Sequence, residues 1–190
     1  MSFLQPIGTG VETSRRVVNR ITVTQGHALA SDDEAVEFRT ILGSCVSTCL
    51  FDPTARVGGM NHFLLAEPPK SSSNRDFDKD YGLFLMELLI NEMFKLGASK
   101  SRMRGRLFGG ANINTDLGSI GSTNAAFARE FLSREGIQCV SEDLEGPHAR
   151  HVQFRPAHGQ VRCRTVANNS APKQKPRGLP KSDLGNVELF

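Results

Sequence analysis

Residues 40–68 read TILGSCVSTCLFDPTARVGGMNHFLLAEP, and this stretch decides the fold. Val46 to Phe51 is rich in apolar and β-branched residues, which is typical of a buried strand. Asp52-Pro53 ends this run, and Gly58-Gly59 opens a second run from Met60 to Leu65. Two such runs joined by a short link rich in turn formers predict a hairpin-like pair.

The predicted pair brings His62 back alongside Cys45. Cys45 follows the small residues Gly43 and Ser44, so it lies at a sharp turn. A thiol needs a nearby base to act as a nucleophile at neutral pH, and imidazole is the usual partner. The alternatives are that Cys45 is a small buried hydrophobe and that His62 is a hydrogen-bonded core residue.

The motifs of this chain resemble those of the chemoreceptor glutamine deamidase CheD family. The separation between cysteine and histidine, 62 − 45 = 17, also fits that family. The resemblance covers most of residues 17–166 and includes Leu42-Gly43-Ser44-Cys45-Val46, Asp52, Gly58-Gly59-Met60, His62, Leu107 to Asn112, Ile120-Gly121, Asn124, Gly136-Ile137, Asp143-Leu144, Gly146 and Arg150. Several ordered motifs across one domain are far more specific than a single Cys–His pair.

The resemblance implies a function and partners. It implies a protein-glutamine deamidase that acts on the cytoplasmic domain of methyl-accepting chemotaxis receptors, with Cys45 as nucleophile and His62 as base. Hydrolysis of glutamyl methyl esters would follow from the same chemistry, and a CheC-type phosphatase is the implied second partner. The alternative is a receptor- or CheC-binding adaptor module whose catalysis is vestigial.

The resemblance also implies a threonine, just upstream of the cysteine, that orients the histidine. Thr40 is the candidate, although Arg39 precedes it, and a shift of one residue along a strand moves a side chain to the other face. Ser44 is the alternative. Backbone N–H groups of the turn at Gly43, Ser44 and Cys45 are expected to stabilise an oxyanion.

The remaining cysteines and histidines carry no predicted role. Cys49, Cys139 and Cys163 lie in or beside apolar runs, and the other histidines lie in polar or turn-rich surroundings (His27, His148, His151 and His158). Cys45 and Cys49 would stand ~13 Å apart along a strand, too far for one zinc ion or a disulfide. No metal and no cofactor are expected.

A second glycine-rich segment, Gly109-Gly110-Ala111-Asn112, precedes Asn124. Packing and helix capping are favoured for Asn124. The alternative is that Gly109, Gly110, Asn112 and Asn124 line a substrate or partner groove. The segment lacks the Lys-Ser/Thr pair of a phosphate-binding loop.

The composition limits the class of protein. The chain is 38% hydrophobic and carries a formal net charge of +3, without a Lys/Arg-rich block interleaved with aromatic residues, so nucleic acid is not an expected partner. Charged residues interrupt its longest apolar stretch, which excludes a membrane span by that stretch. A reduced, cytoplasmic setting is expected from four dispersed cysteines.

The order of patterns predicts an α+β (mixed α/β) domain, a layered strand sandwich with two main helices packed outside. The predicted strands are 17–24, 28–30, 36–42, 103–108, 137–140, 149–154 and 160–166, in addition to the central pair. The predicted helices are 81–96 and 123–135, ended by Gly97 and Gly136, with surface loops at 70–80 and 111–122. We expect a flexible leader at 1–16, one domain at 17–167 and a disordered tail at 168–190.

Overall fold

The computed structural model describes residues 17–65, 76–113 and 120–171, without the side chains of 76–80. The leader predicted at 1–16 and most of the predicted tail lie outside these residues. The described part contains nine strands and two α-helices: β1 (Asn19–Thr22), β2 (His27–Ser31), β3 (Val36–Leu42), β4 (Val46–Asp52), β5 (Val57–His62), α1 (Asp76–Lys95), β6 (Arg104–Gly109), α2 (Ile120–Arg134), β7 (Gln138–Leu144), β8 (Ala149–Arg155) and β9 (Gln160–Val166).

The strands form two mixed sheets. One has four strands in the order β1-β3-β8-β9, and the other has five in the order β2-β5-β4-β6-β7. The pairs β1–β3 and β6–β7 are parallel, and the other pairs are antiparallel. The predicted pairing of the two central runs is confirmed, because β4 and β5 are antiparallel neighbours.

Two apolar clusters hold three layers together. One cluster lies between the sheets and contains Phe38 of β3, Met60 of β5 and Phe154 of β8. The other joins the five-stranded sheet to the helices, through residues such as Leu89 of α1 and Leu132 of α2. Sheet, sheet and helices therefore stack in that order, and the predicted α+β sandwich with helices outside is confirmed.

The central strands β4 and β5 are buried on both faces, since a sheet covers one side and helices cover the other. Successive side chains of a strand point to opposite faces. Asn61 accordingly contacts Met86 of α1, whereas its neighbour His62 faces β3 of the other sheet. This alternation places His62 between the two sheets.

Gly58-Gly59, predicted to open the second run, lie within β5, which begins at Val57. A Cβ atom on Gly58 would stand 2.5 Å from the Pro156 carbonyl oxygen, and one on Gly59 would stand 2.6 Å from Leu89 Cδ1. The glycines allow β5 to approach its neighbours closely. The actual link is the turn at 53–56, where Arg56 has φ 58°.

Both helices begin earlier than predicted. The loop predicted at 70–80 is too long, because α1 begins at Asp76; residues 70–75 lie outside the described residues. The start of α2 at Ile120 makes Asn124 an interior residue of the helix, so the prediction that Asn124 caps this helix is wrong. The predicted ends are confirmed, since Gly97 and Gly136 both take positive φ just after the last helical turn.

Candidate active site

Strand pairing places Cys45 and His62 on the same side of the five-stranded sheet. Val46 and Phe63 exchange two backbone hydrogen bonds of 2.9 Å, which extends the β4–β5 ladder to the residues beside Cys45 and His62. Cys45 precedes Val46 and His62 precedes Phe63, so the two side chains are diagonal neighbours across an antiparallel pair. Cys45 lies in the cluster between the sheets, on the side that His62 faces.

Thr40 contacts His62 from the opposite sheet. Its hydroxyl Oγ1 lies 2.8 Å from His62 Nδ1 and donates a hydrogen bond of 2.9 Å to the carbonyl oxygen of Val23. A hydroxyl has one proton, so the bond to Val23 leaves Oγ1 to accept a proton from Nδ1–H. That tautomer puts the lone pair of the imidazole on Nε2. Nε2 is buried and has no hydrogen-bond partner in the described part of the chain.

Burial keeps both groups of the Cys–His pair neutral. It raises the pKa of the Cys45 thiol to about 12, against the opposing effect of the residue's own backbone N–H. It also lowers the pKa of His62 to about 4, although the Val23 carbonyl opposes this shift. The resting pair is therefore a thiol and a neutral imidazole.

The turn that carries Cys45 is fixed through its carbonyl oxygens. Ala111 N–H donates to Gly43 O at 2.9 Å and Gly110 N–H donates to Cys45 O at 2.7 Å. The Asn124 side-chain amide donates to Ser44 O at 2.8 Å. In a trans peptide the N–H points opposite to the C=O, so the Cys45 N–H points away from Asn124. Its lowering effect on the thiol pKa places that N–H on the side of the sulfur.

The glycine-rich segment after β6 is shaped to approach this turn. A Cβ on Gly109 would stand 2.2 Å from Cys45 O, and Gly109 has φ +104°. Gly110 has φ +65°, and a Cβ there would stand 2.8 Å from Gly121 O. Only glycine fits two such positions, which assigns the segment to holding the turn at Cys45. Among the four residues predicted as a groove (Gly109, Gly110, Asn112 and Asn124), only Asn112 is partly exposed.

Asn124 joins the turn at Cys45 to the chain that follows His62. Its Oδ1 accepts a hydrogen bond of 2.8 Å from Leu65 N–H while its amide nitrogen holds Ser44 O. The residue is fully buried in α2. Sequence reasoning missed this bridge, and the available signal was an amide residue at a buried position of an amphipathic helix.

Gln25 is a further neighbour of Cys45 that the sequence did not reveal. The Cys45 thiol donates a long hydrogen bond, 3.8 Å, to Gln25 Oε1. Gln25 lies in the turn between β1 and β2.

Asp52, which belongs to the motifs quoted above, is the last residue of β4, at the opposite end of the strand from Cys45. Its contacts stabilise the fold. Burial raises the pKa of the Asp52 carboxyl group. Hydrogen bonds from Arg102 and from the backbone N–H groups of Ser99, Ala55 and Thr54 outweigh burial, so the pKa is lowered to about 2. The carboxylate therefore joins the β4–β5 turn to the chain after α1.

The other three cysteines differ in burial. Cys49 is buried in β4, on the same face as Cys45, whereas Cys163 is partly buried and Cys139 is exposed, and none of the four cysteines is in a disulfide. Within residues 17–65, 76–113 and 120–171, no group of three or more Cys, His, Asp or Glu side chains is arranged to hold a metal ion. None of the helices in these ranges has the length and apolar character needed to span a membrane.

The fold and site together define a class: an α+β protein with a buried thiol and an imidazole diagonal to it on one sheet face. Residues 64–165 match the family model described as CheD chemotactic sensory transduction. A protein of Zymomonas mobilis named "Probable chemoreceptor glutamine deamidase CheD" is 47% identical, over 90% of this chain and 92% of the relative.

Proteins of the same name from Caulobacter vibrioides and Cereibacter sphaeroides (strain ATCC 17025) are similar over nearly the whole chain. The first is 44% identical, over 90% of this chain and 93% of the relative. The second is 42% identical, over 94% of this chain and 90% of the relative. The chain belongs to the CheD family, which confirms the resemblance in its motifs.

Proposed function

We propose that this protein hydrolyses the side-chain carboxamide of glutamine residues in the cytoplasmic domain of chemoreceptors. The names of the similar proteins support the substrate. The observation that carries the chemistry is the placement of Cys45 beside a histidine whose Nδ1 is held by Thr40 and whose Nε2 is unpaired.

The first half of the proposed reaction forms a thioester. His62 Nε2 takes the Cys45 proton while the sulfur bonds to the carboxamide carbon of the substrate, and the carbonyl oxygen becomes an oxyanion. The N–H on the sulfur side of the Ser44–Cys45 peptide is the proposed donor to that oxyanion. Protonated His62 then gives its proton to the departing nitrogen, which leaves as ammonia.

The second half releases the product. Water loses a proton to His62 Nε2 and attacks the thioester carbon, and the Cys45 sulfur leaves and is reprotonated by His62. The net reaction converts glutamine and water to glutamate and ammonia. A glutamyl methyl ester would react in the same way and release methanol, so methylesterase activity is included in the proposal. A CheC-type phosphatase remains a proposed partner.

Thr40 orients the base in this proposal. Because Nδ1–H is held on Thr40 Oγ1, the imidazole cannot present a proton on the side of Cys45 in its resting state. The hydrogen bond also stabilises the imidazolium that forms during attack, since a charged donor strengthens it.

Mass spectrometry of a receptor cytoplasmic fragment incubated with the protein tests this function. We expect specific glutamines to gain the mass of an exchange of NH2 for OH. An unchanged spectrum, with the fragment still bound, would contradict the proposal and favour an adaptor module.

A further inference from the structure

The resting site already contains a glutamine carboxamide, and it belongs to the protein itself. Gln25 Oε1 lies 3.8 Å from the Cys45 sulfur. Cys45 and His62 are nearly closed to solvent, with exposed fractions of 4% and 3%. A side chain from another molecule therefore cannot reach the sulfur until a covering group moves.

The backbone under Gln25 is fixed by the site it covers. Gly26 N–H donates a 2.8 Å hydrogen bond to the carbonyl oxygen of His62. Gly26 has φ +85°, and a Cβ there would stand 2.5 Å from the Tyr81 hydroxyl oxygen. The turn is therefore seated between β5 and α1, and only glycine fits at its centre.

The side chain of Gln25 is free to leave while this backbone stays in place. Gln25 is only partly buried, and a glutamine side chain has three rotatable bonds. Its hydrogen bond from the thiol is long, and sulfur is a weak donor. A change of rotamer would break this contact while the backbone of the turn stays in place.

We propose that the Gln25 carboxamide occupies the position that the substrate carboxamide takes, and that it must rotate out before the substrate binds. The inference deepens the proposed function, and its substrate half rests on that function. Gln25 thus marks the subsite as one for a primary carboxamide on a flexible, unbranched side chain.

A competing role predicts effects of the opposite sign. If the amide nitrogen of Gln25 donated to the oxyanion, removal of the side chain would lower kcat. If Gln25 occupies the substrate position, removal makes the competent state more populated and improves apparent binding.

Alkylation by iodoacetamide, itself a small carboxamide, tests the covering role without requiring any deamidase activity. The rate at Cys45 is measured by peptide mapping in wild type and in Gln25→Ala. We expect it to rise roughly two- to tenfold, the range that one net hydrogen bond represents. The rate at exposed Cys139 serves as the internal reference, and Gln160→Ala on β9 is the matched control.

Gln25→Glu provides a second variant of the same length. Its carboxylate beside the sulfur disfavours the thiolate, so alkylation of Cys45 should be slower than in wild type. An unchanged or lower rate at Cys45 in Gln25→Ala, with Cys139 unaffected, would overturn the covering role.

Kinetics on a receptor fragment test the substrate half separately. Gln25→Ala should lower KM by a similar factor and leave kcat close to the wild-type value. A fall in kcat at unchanged KM would assign Gln25 to the oxyanion and refute the proposal. If the wild type is inactive on the fragment but Cys45 is alkylated faster in Gln25→Ala, the proposed function is refuted. The covering role of Gln25 is then retained.

Discussion

Substitution of Thr40 by valine tests whether Thr40 orients His62, because it removes the Thr40 hydroxyl and leaves the histidine in place. Valine has nearly the shape of threonine, and Thr40 is buried, so packing between the sheets is preserved. The change removes the oxygen that lies 2.8 Å from His62 Nδ1 and the donor to Val23 O. Val23 O lies 3.2 Å from Nδ1, so it remains as a weaker acceptor.

The geometry sets the size of the expected effect. In the attack step, Nδ1–H belongs to an imidazolium, and a hydrogen bond from such a charged donor contributes about 1.5–3 kcal/mol. That free energy corresponds to a fall in kcat of roughly 10- to 150-fold, and the retained acceptor at Val23 favours the lower part of this range. KM should change little, because Thr40 is covered from solvent.

The assay is ammonia release from a receptor fragment, followed as a function of substrate concentration. Thr40→Ser retains the hydroxyl and should keep most of the activity. Thr48→Val is the matched control, because Thr48 is also buried but its hydroxyl contacts Met86 instead of the histidine. A folded Thr40→Val protein with kcat within twofold of wild type would refute the orienting role.

Three other results are expected. Because the pKa of His62 is lowered to about 4, the unfolded chain binds more protons at this residue between pH 6.5 and 4. His62 should therefore contribute a loss of about 3 kcal/mol of unfolding free energy as pH falls through that window, and in urea titrations the total loss should be smaller by that amount in a folded His62→Gln variant. Asp52→Asn should lower the unfolding free energy by about 1.5–3 kcal/mol, because it removes the charge of the buried carboxylate that accepts hydrogen bonds from Arg102, Ser99 and Thr54, while kcat of the folded fraction is unchanged; a stability equal to that of wild type would contradict the assigned role. A chain ending at Ala171 should deamidate at the full-length rate, since Asn168 still holds Ala149 N–H and Pro147 O; a folded but inactive product would show that the tail takes part in the site.

The sequence predicted the elements whose pattern is local. The two apolar runs of β4 and β5 indicated strands, and the structure pairs the two runs as expected. The role of the glycines of β5 could not be predicted because its cause is not local: Gly58 is small to admit Pro156, far away in the chain. Turn propensity alone cannot distinguish such a glycine from one in a bend.

Some residues of the candidate site could likewise be predicted from local sequence, and others could not. Cys45 and His62 follow from one motif and one strand pairing, and the register of β3 brings Thr40, not Arg39, to the histidine. Asn124 reaches Ser44 and Gln25 reaches Cys45 only through packing of α2 and of the β1–β2 turn. Their contacts depend on tertiary structure, so no spacing in the sequence indicates them.

Ammonia release from a receptor cytoplasmic fragment, compared between wild type, Cys45→Ala and Cys49→Ala, tests the central claim most directly. Both substitutions remove a buried thiol from the cluster between the sheets, and the account assigns the attack on the substrate to Cys45 alone. The account predicts wild-type release by Cys49→Ala and no release above background by folded Cys45→Ala. Release by Cys45→Ala at the wild-type rate would contradict the assignment of Cys45 as nucleophile.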